Sequence, residues 1–202
     1  MKGNTHIAAG AAAALLVTMP ASRSACFAAL IGGAVGGALP DIDTLDHDRG
    51  HDALIAQLIP IGLTALLLAA DALTGSGLCQ RIFGRGLSLL VPGALVYAAL
   101  WLIGFRSAHR TFTHSILAVL LFTGAVTLIS DRLALPFAAG MLSHILLDLT
   151  NKKKARIFYP LRFSWCLGLC RSDGIADRLT LWACVFLACG ISANILFFSA
   201  LP

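Results

Sequence analysis

The chain has 202 residues, of which 58% are hydrophobic and 12% charged, with a net charge of +5. A soluble domain carries roughly a quarter charged residues, so the composition excludes an ordinary soluble globule and points to an integral membrane protein. The positive balance speaks to topology and anionic lipid; no basic-aromatic pattern suggests a nucleic-acid module, and no nucleic-acid partner is expected.

The first apolar run is Ile7 to Met19, preceded by Lys2 and broken by Pro20, Ser22, Arg23 and Ser24. It has the outline of a signal peptide, but Arg23 interrupts any small-residue cleavage site and a second run follows at once, so a retained first helix is expected. The second run, Ala25 to Leu39, carries Gly32-Gly33 and Gly36-Gly37. Small residues at that spacing let helix backbones approach closely in lipid. Both runs are short for a ~20-residue span, which suggests a tilted or partly immersed hairpin. Pro40 is expected to stop the second helix and to set Asp41 and Asp43 in an extended turn, pointing the same way.

A polar segment to Asp52 comes next, followed by a third run, Ala53 to Leu73. Gly75, Gly77, Arg81, Gly84 and Arg85 read as a loop. Further runs cover Leu87 to Phe105, Ser115 to Ile129, Leu133 to Leu149 and Leu179 to Leu201, with Lys152-Lys153-Lys154 and a polar loop before the last. The expected fold is all-α, a polytopic membrane helical bundle with about 5–7 membrane-embedded helices, some short or re-entrant, in a single domain over 1–202. If each run crosses once, all six histidines fall on one side, with eleven of the fifteen Lys and Arg. Arg23, Arg81, Arg85 and Arg132 fall on the other. The positive-inside rule places the histidine side in the cytoplasm.

The polar groups on that side are chemically selective. All ten acidic residues are Asp, and five lie between Asp41 and Asp52. His144 and Asp148 are four apart and share a helix face. They can chelate one cation, or form a polar pair at a helix end. Asp41 and Asp43 suit oxygen ligation of a divalent ion, or act as simple caps. In His109-Arg110-Thr111-Phe112-Thr113-His114-Ser115, Thr113 or Ser115 can cap the next helix, whose N-terminus favours an anion such as phosphate. Arg110 offers a bidentate phosphate donor, or a positive-inside anchor. His6 lies at a helix end on the same side. His47, His51, Asp46 and Asp48 read as an exposed loop. The six cysteines read as structural; Cys166 and Cys170, four apart, could share a helix face. Mixed imidazole and carboxylate suits Zn, Mn or Fe more than Ca. Such a site can lower the pKa of a water, polarise a phosphoryl or carbonyl group, and use a further carboxylate or His to take the proton.

His6, Leu39-Pro40-Asp41-Ile42-Asp43, His109-Arg110-x-x-Thr113-His114-Ser115, Ser143-His144-x-Leu146-Leu147-Asp148-x-Thr150 and Tyr159-Pro160 stand in the order seen in the YdjM-type bacterial inner-membrane proteins. The chain resembles that family up to about Pro160. The family is regarded as membrane-bound metal-dependent hydrolases. The resemblance implies metal positions at His6, Asp41, His114, His144 and Asp148, with Asp43, His109 and Arg110 beside them as catalytic candidates. With the donor set and the charge asymmetry, the expectation is a divalent metal, zinc first and Mn or Fe as alternatives, and hydrolysis of an ester or phosphoester of a membrane lipid or amphiphile at the cytoplasmic face of the inner membrane. The rival expectations are a metal-ion or proton-coupled transporter and a non-catalytic stress-related membrane protein.

Overall fold

The computed structural model describes residues 1–44, 71–170, 172 and 174–198, with isolated positions 58, 62, 65, 66 and 69 between them. Asp46, His47, Asp48 and His51, and most of the third apolar run, lie outside the described residues. Helix α1 is Gly3–Thr18 and α2 is Arg23–Ala38, which runs on into a 3-10 turn, Leu39–Thr44. A short α3 covers Leu78–Phe83, α4 Leu87–Phe105, α5 Ile116–Ile129 and α6 Asp131–Thr150. The last helix, α7, is Ile175–Ala193 and ends in a π turn, Asn194–Phe198.

Serine begins three of these helices. Ser22, Ser115 and Ser130 each accept a hydrogen bond from the backbone N–H three residues on, which satisfies one of the open donors of a helix start. Ser130 also donates to the Ile82 carbonyl at 2.5 Å, fixing α3 against the start of α6. The segment expected to be a loop around Arg81 therefore contains a helical turn. Its Ile82 is buried, and Leu78 and Phe83 pack on the same core.

Among the described residues, four helices are long and apolar enough to cross a membrane: Arg23–Asp43, Leu87–Phe105, Asp131–Thr150 and Ile175–Phe197; Ile116–Ile129 is a shorter apolar helix. Helix α2 lies at the centre. A Cβ on Gly33 would collide with the Gly10 carbonyl of α1, and one on Gly37 with the His6 carbonyl. On its other face, a Cβ on Gly36 would collide with the Phe137 carbonyl of α6. The glycines thus bring three helices to backbone contact, as small residues do in lipid. A second core joins α2, the 3-10 turn, α4, α5 and α6 through Ile31, Ile42, Leu100, Phe122, Phe137 and Met141. Outward, α4 exposes Leu95, Leu102 and Ile103, and α7 exposes Leu179, Trp182 and Phe186, as expected of surfaces meant for hydrocarbon.

The path of the chain brings the start of α1, the end of α2, the α4–α5 connection, the end of α6 and the start of α7 to one end of the bundle. Lys2 N donates to Asp177 at 3.1 Å and Ile116 N to the Ile157 carbonyl at 3.0 Å. The opposite end carries Arg23, Arg81, Arg85 and Arg132, with an Arg85–Asp131 ion pair of 3.6 Å. Between α6 and α7 the chain forms a non-helical strap. It is held by an antiparallel bridge of Ala155 with Trp165 and a parallel one of Asn151 with Cys170. Cys166 and Cys170 therefore share no helix face, and both are free thiols.

Candidate metal centre

Each polar motif arrives by a different local device. His6 sits in the first turns of α1, buried, with its ring stacked on His144 at 3.7 Å between centroids. His144 and Asp148 occupy one face of the last turns of α6, as the four-residue spacing requires. Asp41 and Asp43 depart from the expectation of an extended turn. Pro40 has no N–H with which to continue the α ladder, and the chain tightens into the 3-10 turn instead. The two carboxylates then approach opposite nitrogens of one imidazole. Asp41 Oδ1 lies 4.0 Å from His114 Nε2, and Asp43 Oδ2 lies 3.4 Å from His114 Nδ1.

At the centre, His114 Nε2 and His144 Nε2 face each other at 3.3 Å. His144 Nδ1 donates to the Gly37 carbonyl at 2.7 Å, which fixes the tautomer and leaves Nε2 with its lone pair. Oxygens surround this pair. Asp148 Oδ2 is 3.4 Å from His114 Nε2, and Asp41 Oδ1 is 3.6 Å from His144 Nε2. His6 Nε2 lies 3.4 Å from Asp148 Oδ1. One ligand atom each from His6, His144 and Asp148 falls within 4.8 Å of the others, and the same holds for Asp41, His114 and His144. His6 Nδ1 is buried without a hydrogen-bond partner. Two imidazole lone pairs pointed at each other repel unless a proton or a cation lies between them, and the donor set of imidazole and carboxylate suits a transition metal.

Asp43 sits just outside this group. Buried, it accepts from His109 Nδ1 at 2.8 Å, Arg110 N at 3.0 Å and Thr113 Oγ1 at 2.7 Å. A carboxylate of this kind behind an imidazole orients the ring and raises its basicity. Arg110 adopts a left-handed backbone, φ 61°, a conformation that costs a non-glycine residue about 1–3 kcal/mol. Its surroundings impose it: its N–H is on Asp43, its carbonyl takes the Arg156 N–H, and its guanidinium lies 2.9 Å from Asp148 Oδ2 and donates to the Lys153 carbonyl at 2.8 Å. Burial pushes the His114 imidazolium down, but the hydrogen bonds and charges of Asp148 and Asp43 outweigh it and hold the group up to about 10. The carboxylates thus favour positive charge at His114.

The chain matches the model of the YdjM inner membrane protein family over residues 1–201. It belongs to that family. No curated protein and no solved structure matches it.

In this YdjM-family chain, His6, Asp41, Asp43, His109, Arg110, His114, His144 and Asp148 all meet at one end of the bundle. Three contributors escaped the sequence reading. Thr113 bridges Asp43 and His114 (3.0 Å to Nδ1) and does not cap α5, a role that falls to Ser115. Asn151 donates to Asp148 Oδ1 at 2.9 Å; its place three residues after Asp148 at a helix end was the available signal. The Gly37 carbonyl has no side-chain signal at all. His47 and His51 lie outside the described residues.

Proposed function

We infer that this protein is a membrane-bound metal-dependent hydrolase acting on an ester or phosphoester of a lipid or amphiphile at the cytoplasmic face. The observation that carries this reading is the His114–His144 nitrogen pair at 3.3 Å, enclosed by the carboxylates of Asp41 and Asp148. His6, Asp41, His114, His144 and Asp148 would hold the cation, zinc before Mn or Fe. His144 has one free lone pair, so the two overlapping ligand groups favour one cation over two. Bound there, the ion would supply Lewis-acid polarisation of a phosphoryl or carbonyl oxygen and acidify a water.

The remaining groups suit the proton and charge handling of such a hydrolysis. His109 donates from Nδ1 to Asp43, which leaves a lone pair on Nε2, and its side chain is 33% exposed. That arrangement supports His109 as the general base for an attacking water. Arg110 holds positive charge beside Asp148, and Lys152, Lys153 and Lys154 are exposed nearby to attract a phosphate. The site lies at helix ends, which favours surface chemistry over a conduction path through the bilayer. Its end of the bundle carries Lys2, Arg106, Arg110, Lys152, Lys153, Lys154, Arg156, Arg162 and Arg178 against four arginines at the other, in support of a cytoplasmic placement.

The test is metal analysis of the purified protein, with hydrolysis of bis(p-nitrophenyl) phosphate and of phospholipid before and after chelation. Bound transition metal and an activity abolished by chelator and restored by Zn or Mn are expected. Activity indifferent to chelation, or metal-dependent ion flux in proteoliposomes without hydrolysis, would overturn the reading. A His109→Gln variant is expected to keep its metal and lose about 10²–10⁴-fold in kcat, the usual span for a general base. Unchanged kcat would remove His109 from that role.

A further inference from the structure

The strap between α6 and α7 exposes apolar side chains in strict alternation. Leu161, Phe163, Trp165, Leu167 and Leu169 are each between 49% and 71% exposed. The residues between them from Ser164 onward, Ser164, Cys166, Gly168 and Cys170, are half-buried against the bundle. From Phe163 this is the two-residue period of a largely extended chain, with a left-handed step at Gly168 (φ 68°), and its greasy face is turned outward. A soluble surface does not present five large apolar side chains in a row without a partner. The backbone is firmly seated: Leu167 N donates to the Leu149 carbonyl at 2.7 Å, Gly168 N to Asn151 at 3.2 Å and Cys170 N to Thr150 at 2.9 Å. Those acceptors are the last carbonyls of α6, so the ridge lies at the level where a spanning helix ends.

Two observations name the occupant. Lys152, Lys153, Lys154 and Arg162 are exposed around the ridge, which matches anionic headgroups. The apolar surface also continues in sequence into α7, whose Ile175, Leu179 and Trp182 face outward from a membrane-length helix. Aromatic residues at the end of a span favour the headgroup layer.

We propose that the Leu161–Leu169 strap is an interfacial element that lies in the headgroup layer of the bilayer, its apolar ridge dipping toward the acyl chains and its basic rim holding anionic lipid. Arg110 joins it directly to the metal centre, donating to the Lys153 carbonyl while pairing with Asp148. A bilayer lipid bound at the rim would then stand beside the site; that consequence rests on the hydrolase reading, whereas the surface itself does not.

The test uses the full-length protein in phosphatidylcholine vesicles with and without phosphatidylglycerol, and reads Trp165 as the fluorescence difference between wild type and Trp165→Phe. That substitution leaves the spanning helices untouched. Trp165 should be shielded from aqueous acrylamide and quenched more by lipids brominated near the headgroup than by lipids brominated deep in the chain. Brominated phosphatidylglycerol should quench severalfold better than brominated phosphatidylcholine, and Lys152→Ser/Lys153→Ser/Lys154→Ser should remove that excess. Full acrylamide access without lipid quenching would overturn the proposal. Equal quenching by the two headgroups in the wild type would overturn its anionic part. Neither readout depends on metal or hydrolysis, so each can fail while the catalytic reading stands.

Discussion

His114→Ala and Asp148→Ala should each strip the protein of its cation and abolish hydrolysis. Both groups stand at the shared centre, Nε2 of one 3.4 Å from Oδ2 of the other. Loss of an outer hydrogen-bond partner to a metal ligand typically lowers affinity or activity by about 10–100-fold, and loss of a ligand itself should exceed that. Alanine at 148 has a second effect. It leaves the half-buried Arg110 guanidinium without its carboxylate, a loss below the about 3–5 kcal/mol of breaking a fully buried pair. Asp148→Asn lessens the second effect, because it retains shape and its one side-chain oxygen can still accept from the Arg110 guanidinium, while the charge is gone. The Asn variant should fold, elute as wild type and bind no metal. Metal analysis and thermal unfolding on the same samples decide the matter. Normal metal content in His114→Ala and Asp148→Asn would take both residues out of the ligand set.

The second large effect falls far from the polar centre in chemistry. Gly33→Val should prevent the bundle from assembling. A Cβ there meets the Gly10 carbonyl of α1, and the Gly33 carbonyl is itself approached by Gly10 and Gly140 from two sides. Adding methylenes to a packed core costs about 1–3 kcal/mol when neighbouring side chains can yield. Here the obstacle is backbone, which cannot rotate away, so the loss should be larger. The expected result is aggregated or proteolysed protein in place of a monodisperse one. Gly124→Ala and Gly190→Ala are the matched controls, since a Cβ at either place meets nothing within 4 Å. Both should be neutral or slightly stabilising, as alanine is the better helix former by up to ~1 kcal/mol. Wild-type stability in Gly33→Val would dismiss the close approach of α1, α2 and α6.

Much of this architecture could be read in advance, because lipid leaves a chain few options. The run Leu87 to Phe105 coincides with α4, and the glycine pairs of α2 signalled its close contact with neighbouring helices. The convergence of His6, Asp41, His114, His144 and Asp148 followed from counting crossings, since alternating spans return every second connection to the same end. What could not be read was decided by backbone geometry. Pro40 was expected to straighten the chain, and the 3-10 turn splits Asp41 and Asp43 between two faces of His114. Cys166 and Cys170 had helical spacing but lie in a strap whose ladder bonds go to the end of α6. The left-handed Arg110 has no signature in a residue type that prefers other conformations. The role of Gly37 as an acceptor belongs to a main-chain atom common to all residues.

That last contact has a wider consequence. The glycine that lets α1 lie against α2 is also the one whose carbonyl aims the His144 ring of α6, so helix association and ligand alignment share a single residue. Anything that binds only the assembled chain stabilises it by mass action. If the site takes the proposed cation, its occupancy and tertiary assembly are two faces of one equilibrium, and the heat resistance of the protein should follow the free metal concentration around it.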